Sequence, residues 1–144
     1  MKQLLYIFSI VFLFSCEAPI VEKKGETYPN NQPKRIDYLQ EQDGKEVKVK
    51  EKYFYEDGKL KMEGDFLDGK REGEWQAYFD NGQLQSEGFF KANKRIGVAK
   101  VYYPNSKLRY EGQYENDKEV GHWKFYNEQG QLIKEQDFEM NNVN

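Results

Sequence analysis

The sequence repeats itself every 24 residues, and this period limits the possible folds more than any other feature. Five columns of identical or similar residues carry it: Leu60, Leu84, Leu108 and Leu132; Glu63, Glu87, Glu111 and Glu135; Gly64, Gly88 and Gly112; Gly73, Gly97 and Gly121; and Tyr78, Tyr102 and Tyr126. Trp75 maps to Ala99 and then to Trp123. The units are 35–58, which is degenerate, 59–82, 83–106, 107–130 and a half unit, 131–144. Such a period is typical of architectures in which small identical units stack on one another.

Each unit is predicted to be a β-hairpin. Apolar and polar residues alternate, as in Leu60 to Phe66 and in Trp75 to Phe79, and period 2 indicates half-buried strands. Turn-forming pairs such as Asp68-Gly69 and Asn81-Gly82 separate these runs about every 12 residues. The sequence therefore predicts an all-β antiparallel meander. Glycines of the column that begins at Gly64 would leave room for a ring from the neighbouring strand.

The segments Met62–Gly82 and Tyr110–Gly130 resemble MORN-type repeats, and more closely the variant found in bacterial proteins described as YwqK-type antitoxins. The shared pattern is Glu-Gly-x-aromatic, a turn, Gly-x-Trp, aromatics and a second turn that ends in glycine. The resemblance covers about 59–138 well and 35–58 poorly. Ala99 and Asn93 depart from the pattern in the middle unit, and Gln136 departs from it in the last. The resemblance implies a MORN-like hairpin array and an antitoxin-like function as one possibility.

The first sixteen residues predict an exported lipoprotein. Lys2 is followed by eleven almost wholly apolar residues, Leu4 to Phe14, which are too few to span a membrane. Leu13-Phe14-Ser15-Cys16 resembles a bacterial lipobox, and Cys16 is the only cysteine of the chain. We therefore expect a signal peptide over 1–15 and a lipidated Cys16, with an ordinary signal peptide as the alternative. The outer membrane is the favoured location. Residues 16–34 carry three prolines without periodicity and are predicted to be a flexible tether.

Composition excludes several functions. Charged residues make up 33% of the chain, the mean hydropathy is −1.01, and Lys and Arg are interspersed with acids, so no basic patch for nucleic acid is predicted. His122 is the only histidine, and no second ligand or catalytic partner accompanies it. We therefore predict no catalytic residue, no metal site and no cofactor.

Two repeated columns are candidates for binding. Tyr78, Tyr102 and Tyr126 have the parity opposite to Trp75, so they form an aromatic stripe on the second face, either as structural packing or as a binding stripe for a protein or glycan. The glutamates of the column that begins at Glu63 lie two strands apart, about 9.6 Å, too far to share one ion. They are predicted to be a solvent face in which Lys61 and Arg109 give partial pairing, with an acidic stripe for calcium or a partner as the alternative.

Two hypotheses on function remain open at this point. The first is a lipid-anchored envelope protein whose repeat sheet is a non-catalytic module for a protein or polysaccharide partner. The second, implied by the resemblance, is an antitoxin or immunity-like protein that neutralises a toxin by direct binding. Trp75 and Trp123, with the glycine columns, are predicted to have structural roles.

Overall fold

The described residues form one open antiparallel sheet. The computed structural model describes residues 18–139, and within that range it contains ten strands and no helix. The strands are β1 Ile20–Lys24, β2 Arg35–Gln42, β3 Lys45–Phe54, β4 Leu60–Leu67, β5 Lys70–Tyr78, β6 Leu84–Lys91, β7 Lys94–Tyr102, β8 Leu108–Glu115, β9 Lys118–Tyr126 and β10 Leu132–Phe138. Their order in the sheet is their order in the sequence. The predicted all-β hairpin meander is confirmed.

The turns at one end of the sheet contain two residues each. Asp68-Gly69 has φ values of 51° and 72°, and Asn116-Asp117 has 51° and 71°. Two consecutive positive φ values characterise the tight hairpin turn whose twist matches that of the flanking strands. The middle unit reaches the same geometry with Ala92-Asn93, at 49° and 73°. The Asn93 side chain accepts a hydrogen bond from the backbone N–H of Arg71 at 2.7 Å and so links this turn to the turn one repeat earlier.

The loops at the other end are joined by a ladder of repeated hydrogen bonds. The Tyr55 hydroxyl donates to the carbonyl oxygen of Tyr78 at 2.7 Å, and the Tyr103 hydroxyl donates to that of Tyr126 at 2.9 Å. The amide group of Asn105 donates to the carbonyl oxygen of Glu128 at 2.9 Å. Where Phe79 replaces the tyrosine, the amide group of Asn81 donates to the carbonyl oxygen of Pro104 at 3.3 Å, so this loop is also fixed to the loop of the next repeat.

One position in these loops is occupied by an unfavourable residue. Gly58, Gly82 and Gly130 have φ values near 82°, and Ser106 takes the equivalent place at 64°. A residue with a Cβ is strained in this region. We expect Ser106→Gly to stabilise the protein by about 0.5–1 kcal/mol in urea denaturation. Ser86→Gly inside β6 is the matched control and should destabilise by a similar amount, since glycine weakens a strand. A loss of stability in Ser106→Gly would contradict this assignment.

The glycines in the middle of each unit form β-bulges. Gly73, Gly97 and Gly121 have φ values of 70°, 62° and 67°, and the register of their strands with the preceding strand shifts at these points. A glycine with positive φ is the usual residue of such a bulge. After the bulge, the indole Nε1 of Trp75 donates to the carbonyl oxygen of Asp65 at 3.3 Å.

The core is a thin layer of rings on one face. Trp75 and Trp123 are 5% and 2% exposed, and Val120 is the other buried apolar residue of the described range. A Cβ on Gly64 would overlap the indole of Trp75, and one on Gly112 would overlap that of Trp123. The prediction that the strand glycines provide a bed for a neighbouring ring is thus confirmed at Gly64 and Gly112 and wrong at Gly88, where the nearest atoms to an added Cβ belong to Ala99.

The predicted tether is wrong from Ile20 onward. β1 pairs with β2 over its whole length, and Gly25 donates a backbone hydrogen bond to Arg35 at 2.9 Å. The Tyr28 hydroxyl donates to the carbonyl oxygen of Phe54 at 3.0 Å, so the segment copies the ladder of the later repeats. Ile20 and Val21 favour a strand because they are β-branched. Pro29 and Pro33, two of the three prolines that suggested a tether, belong to a bonded loop, and Pro19 directly precedes β1.

The signal peptide and Cys16 lie outside the described residues. Between residues 18 and 139 no helix is long and apolar enough to cross a bilayer.

Candidate functional site

The sheet presents two chemically different faces. We call the side that carries Trp75, Ala99 and Trp123 the tryptophan face, and the side that carries Tyr78, Tyr102 and Tyr126 the tyrosine face. On the tryptophan face, glycines alternate with other residues across neighbouring strands: Gly64 pairs with Trp75, Trp75 with Gly88, and Ala99 with Gly112. This alternation lets each indole lie across the adjacent strand.

A cleft opens on the tryptophan face where the middle unit lacks its tryptophan. Its volume is about 250 Å³. Apolar groups provide most of the lining: Met62, Trp75, Ala77, Gly88, Phe89, Phe90, Ala99, Val101, Tyr110 and Tyr114. Ala99 occupies the tryptophan position of its repeat, and the nearest atom to a Cβ built on Gly88 is the Ala99 Cβ at 3.6 Å. The bed at Gly88 therefore has no ring above it.

Two guanidinium groups border the cleft. Arg71 lies over the Trp75 ring at 4.2 Å and over the Phe90 ring at 5.7 Å, while Arg95 lies over the Tyr114 ring at 4.0 Å. Cations over aromatic faces gain electrostatic attraction and hold their stems against apolar surface. Arg95 also pairs with Asp117 at 3.3 Å, whereas no ion pair joins Arg71 to a carboxylate in the described part of the chain. The cleft thus combines apolar walls with positive charge.

Comparison with family models identifies the repeats. The model of the MORN repeat variant matches four segments, at residues 49–68, 71–92, 95–116 and 119–140, which together exceed half of the chain. The chain belongs to the MORN repeat variant family. The last three matched MORN segments begin 24 residues apart and half a unit later than the predicted units, because a periodic chain has no unique starting point, and the first begins 22 residues before the second. A comparison with curated proteins gave no match.

The tyrosine stripe of the MORN repeats is half-buried and hydrogen-bonded. The hydroxyls of Tyr102 and Tyr78 donate to Glu87 and Gln76, each at 2.7 Å, and the Tyr126 hydroxyl donates to Glu111 at 3.3 Å. Burial, followed by the bond to Glu87, raises the pKa of Tyr102 to about 12. The three tyrosines therefore stay neutral donors at physiological pH, each held by a partner on its own face.

The glutamate column of the MORN repeats is paired across strands. Glu87 faces Lys100, and Glu111 faces both Lys100 and Lys124. Lys100 Nζ lies 3.8 Å from Glu87, and Lys50 Nζ lies 3.3 Å from Glu63. These cations come from the strands that lie between the glutamate-bearing strands, so they are not visible when only equivalent strands of the repeat are compared.

Lys61 and Arg109 do not provide the pairing expected of them along the glutamate column. Lys61 lies over the Tyr55 ring at 5.4 Å and Arg109 over the Tyr103 ring at 5.7 Å. The expected pairing along the strand is wrong, because both side chains extend toward the loop end of the sheet.

His122 lies on the last complete hairpin, between two carboxylates. Its Nδ1 is 2.7 Å from Asp137 and its Nε2 is 3.0 Å from Glu135, and the side chain is 45% exposed. The bond to Asp137, followed by the bond to Glu135, raises the pKa of His122 above its usual value. The arrangement links β9 to β10. Within residues 18–139 no group of three metal-binding side chains is placed to hold an ion.

The His122 pair predicts that the attachment of β10 depends on pH. Since the folded pKa is raised, protonation stabilises the fold fully below the unfolded value of about 6.5, and this contribution is lost as pH rises through the folded pKa. An NMR titration of the imidazole should show the raised pKa, and Asp137→Asn should lower it. Asp43→Asn, at the far end of the sheet, is the control. An unshifted pKa in the parent protein would refute the contact.

Sequence reasoning missed the cleft, although the sequence carried its signal. Ala99 was recognised as a departure from the repeat, but its consequence depends on Gly88 one strand away. The tyrosine–carbonyl ladder at Tyr55 and Tyr103 was also missed, although the two residues lie two periods apart.

Proposed function

We propose that the protein is a non-catalytic interaction module that binds a partner on the tryptophan face. The cleft at Ala99 supports this most directly, because it combines accessible apolar walls with the guanidinium of Arg71, which forms no ion pair with any of residues 18–139. MORN repeats are commonly interaction modules, which fits such a role. The tyrosine face is the second candidate surface, since its rings are accessible in part.

The proposal places the module at the bacterial envelope through a lipid on Cys16. The lipobox-like Leu13-Phe14-Ser15-Cys16 motivates this location. β1 begins four residues after Cys16, and four residues span at most about 14 Å. Under this proposal the first strand lies close to the membrane surface, with the later repeats beyond it.

Fatty-acid labelling tests the anchor. Cells grown with labelled palmitate should incorporate the label into the wild-type protein and not into Cys16→Ser, which should leave the membrane fraction. Because Cys16 is the only cysteine, the label has no other thiol in this chain. An unlabelled wild-type protein would refute lipidation without affecting the proposed binding face.

Crosslinking in intact cells tests the binding role. A partner of the tryptophan face should be captured by the wild type and lost in Ala99→Trp, which fills the cleft with the residue that the neighbouring repeats use. The same partner should be retained by Tyr78→Ser/Tyr102→Ser, provided that circular dichroism shows both variants folded. Loss of the partner in Tyr78→Ser/Tyr102→Ser, with retention in Ala99→Trp, would place the binding site on the tyrosine face. Unchanged capture in both would refute binding by either face.

The antitoxin or immunity-like hypothesis differs in what is captured. A toxin partner would be a protein whose activity falls when the purified module is added, whereas an envelope partner would keep its activity. An exported module could protect only against a toxin met in the envelope. The identity and activity of the captured protein therefore separate the two.

A further inference from the structure

The cleft at Ala99 keeps the glycine bed and the two edge-on rings that both neighbouring tryptophans share, but it lacks the tryptophan itself. Gly64 and Gly112, each eleven residues before a tryptophan, are the beds of Trp75 and Trp123. Gly88 stands at the same distance before Ala99 and pairs with the neighbouring strand at Trp75. The glycine of the middle unit is therefore in place to receive a ring, but no ring covers it.

The two edge-on rings that both indoles share are also present in the middle unit. Trp75 makes edge-on contacts with Phe66 at 5.6 Å and with Phe90 at 5.9 Å. Trp123 makes the equivalent contacts with Tyr114 at 5.1 Å and with Phe138 at 5.8 Å.

The positions that correspond to these rings around Ala99 are Phe90 and Tyr114, nine residues before and fifteen after. Both line the cleft. Edge-on ring pairs are a favoured aromatic geometry, so a ring placed over Gly88 would have the same two partners that each indole has.

The charge at the cleft is complementary to an anion. Arg71 stands four residues before Trp75 and covers its ring, and Arg95 stands four residues before Ala99. Glu87 is the one acidic residue of the lining. Its carboxylate lies on the tyrosine face, where it accepts from Tyr102 at 2.7 Å and lies 3.8 Å from Lys100. Arg95 is paired with Asp117 at 3.3 Å, whereas Arg71 forms no ion pair with a carboxylate in the described range, so the tryptophan face offers a ligand the guanidinium group of Arg71 here.

The geometry points to a receptor site for one aromatic side chain of a partner protein, with a carboxylate beside the ring. The ring lies over Gly88 between Phe90 and Tyr114, and the carboxylate meets Arg71. A cleft of about 250 Å³ is below the roughly 300–1,000 Å³ of sites that enclose a drug-sized ligand, so it suits a single ring. This inference rests on the proposed binding role and specifies its chemistry.

Three small probes separate the ring from the charge. N-acetyl-tryptophan carries both, N-acetyl-tryptophanamide carries the ring alone, and N-acetyl-alanine carries the carboxylate alone. In ¹H–¹⁵N NMR spectra of the full chain, both tryptophan probes should shift the amides of Gly88, Phe90, Ala99 and Tyr114. The acid should bind about two- to fivefold more tightly than the amide, as expected for one accessible ion pair. N-acetyl-alanine should give no shifts at these positions.

Two variants close the site in different ways. Ala99→Trp supplies the missing ring from the chain itself, and Gly88→Ala places a Cβ where the bound ring would lie. The added Cβ meets Ala99 at an ordinary 3.6 Å, so Gly88→Ala folds even if Ala99→Trp does not. Each should abolish the shifts. Arg71→Gln should still bind both tryptophan probes, but it should bind the acid and the amide with equal affinity. Val98→Ala, at a residue that is 42% exposed and is not part of the cleft lining, is the control and should retain binding.

Several results would overturn the inference. These are the absence of shifts with both tryptophan probes, shifts that survive Gly88→Ala, or equal binding of acid and amide in the parent protein. If a neutral oligosaccharide shifts the same amides and the tryptophan probes shift none, the ligand of the cleft is a glycan and not an aromatic side chain. The crosslinking experiment is independent of these probes. If the probes fail to bind but the partner is still lost in Ala99→Trp, the proposed binding role stands and only the inferred ring chemistry is refuted.

Discussion

Trp123→Ala is expected to destabilise the fold by about 3–5 kcal/mol, the range for removing a fully buried large ring. Trp123 is 2% exposed, and its ring lies 5.1–6.3 Å from those of Tyr110, Tyr114, Phe125 and Phe138. Its Nε1 also donates to the carbonyl oxygen of Val120 at 3.1 Å. Among the described residues few other side chains are buried and could compensate, because the core is one layer thick. Urea denaturation followed by circular dichroism measures the loss.

Trp75→Ala and Phe89→Ala provide the scale for this measurement. Trp75 has two ring neighbours and a longer indole hydrogen bond of 3.3 Å, so its loss should cost less than that of Trp123. Phe89 is 44% exposed, and its truncation should stay near 0.5 kcal/mol. Equal effects of Trp123→Ala and Phe89→Ala would show that the indole layer is not the core.

Gly112→Ala should destabilise by about 1–3 kcal/mol, although it adds only a methyl group. The added Cβ would overlap the Trp123 indole, which has no free space to move into because other rings enclose it. The measurement is again the free energy of unfolding in urea, with the near-ultraviolet dichroism of the indole as a local signal.

Gly88→Ala is the matched control for this substitution. Both glycines occupy the same place in the repeat, and neither has a positive φ, so the backbone effect of the substitution is the same. At Gly88 the nearest atom is the Ala99 Cβ at 3.6 Å, so the change should be neutral or slightly stabilising. Similar losses in the two variants would contradict the presence of a ring over only one of them.

The sequence predicted the strands and faces because both depend on local signals. Alternation around Trp75 and turn pairs such as Asp68-Gly69 act within a few residues, and the 24-residue period repeats them. Gly73 was recognised as a repeat position, but its role as a bulge was not, since a positive φ inside a strand depends on the register with the strand before it. Local patterns thus defined the elements but not their exact pairing.

The candidate site was harder to predict because it consists of a missing group. The tyrosine column drew attention because tyrosines are present, whereas the cleft exists because Ala99 is small and Gly88 lies beneath the vacant place. Recognising it requires the pairing of β6 with β5 and the partners of the other indoles. The ordered segment that begins at Ile20 was misjudged for a related reason: its bonds reach Arg35 and Phe54, far along the chain.

The tyrosine–carbonyl ladder at the loop ends has a consequence for how such a chain changes in evolution. Each rung joins a loop only to the loop one repeat away, as Tyr55 joins Tyr78 and Tyr103 joins Tyr126. A duplicated or deleted 24-residue segment would therefore find its bonding partners already in place at both joints. Within a lengthened array, one tryptophan-to-alanine codon change would open a new cleft, and the reverse change would close it. Recognition could then be gained, moved or lost without remaking the scaffold.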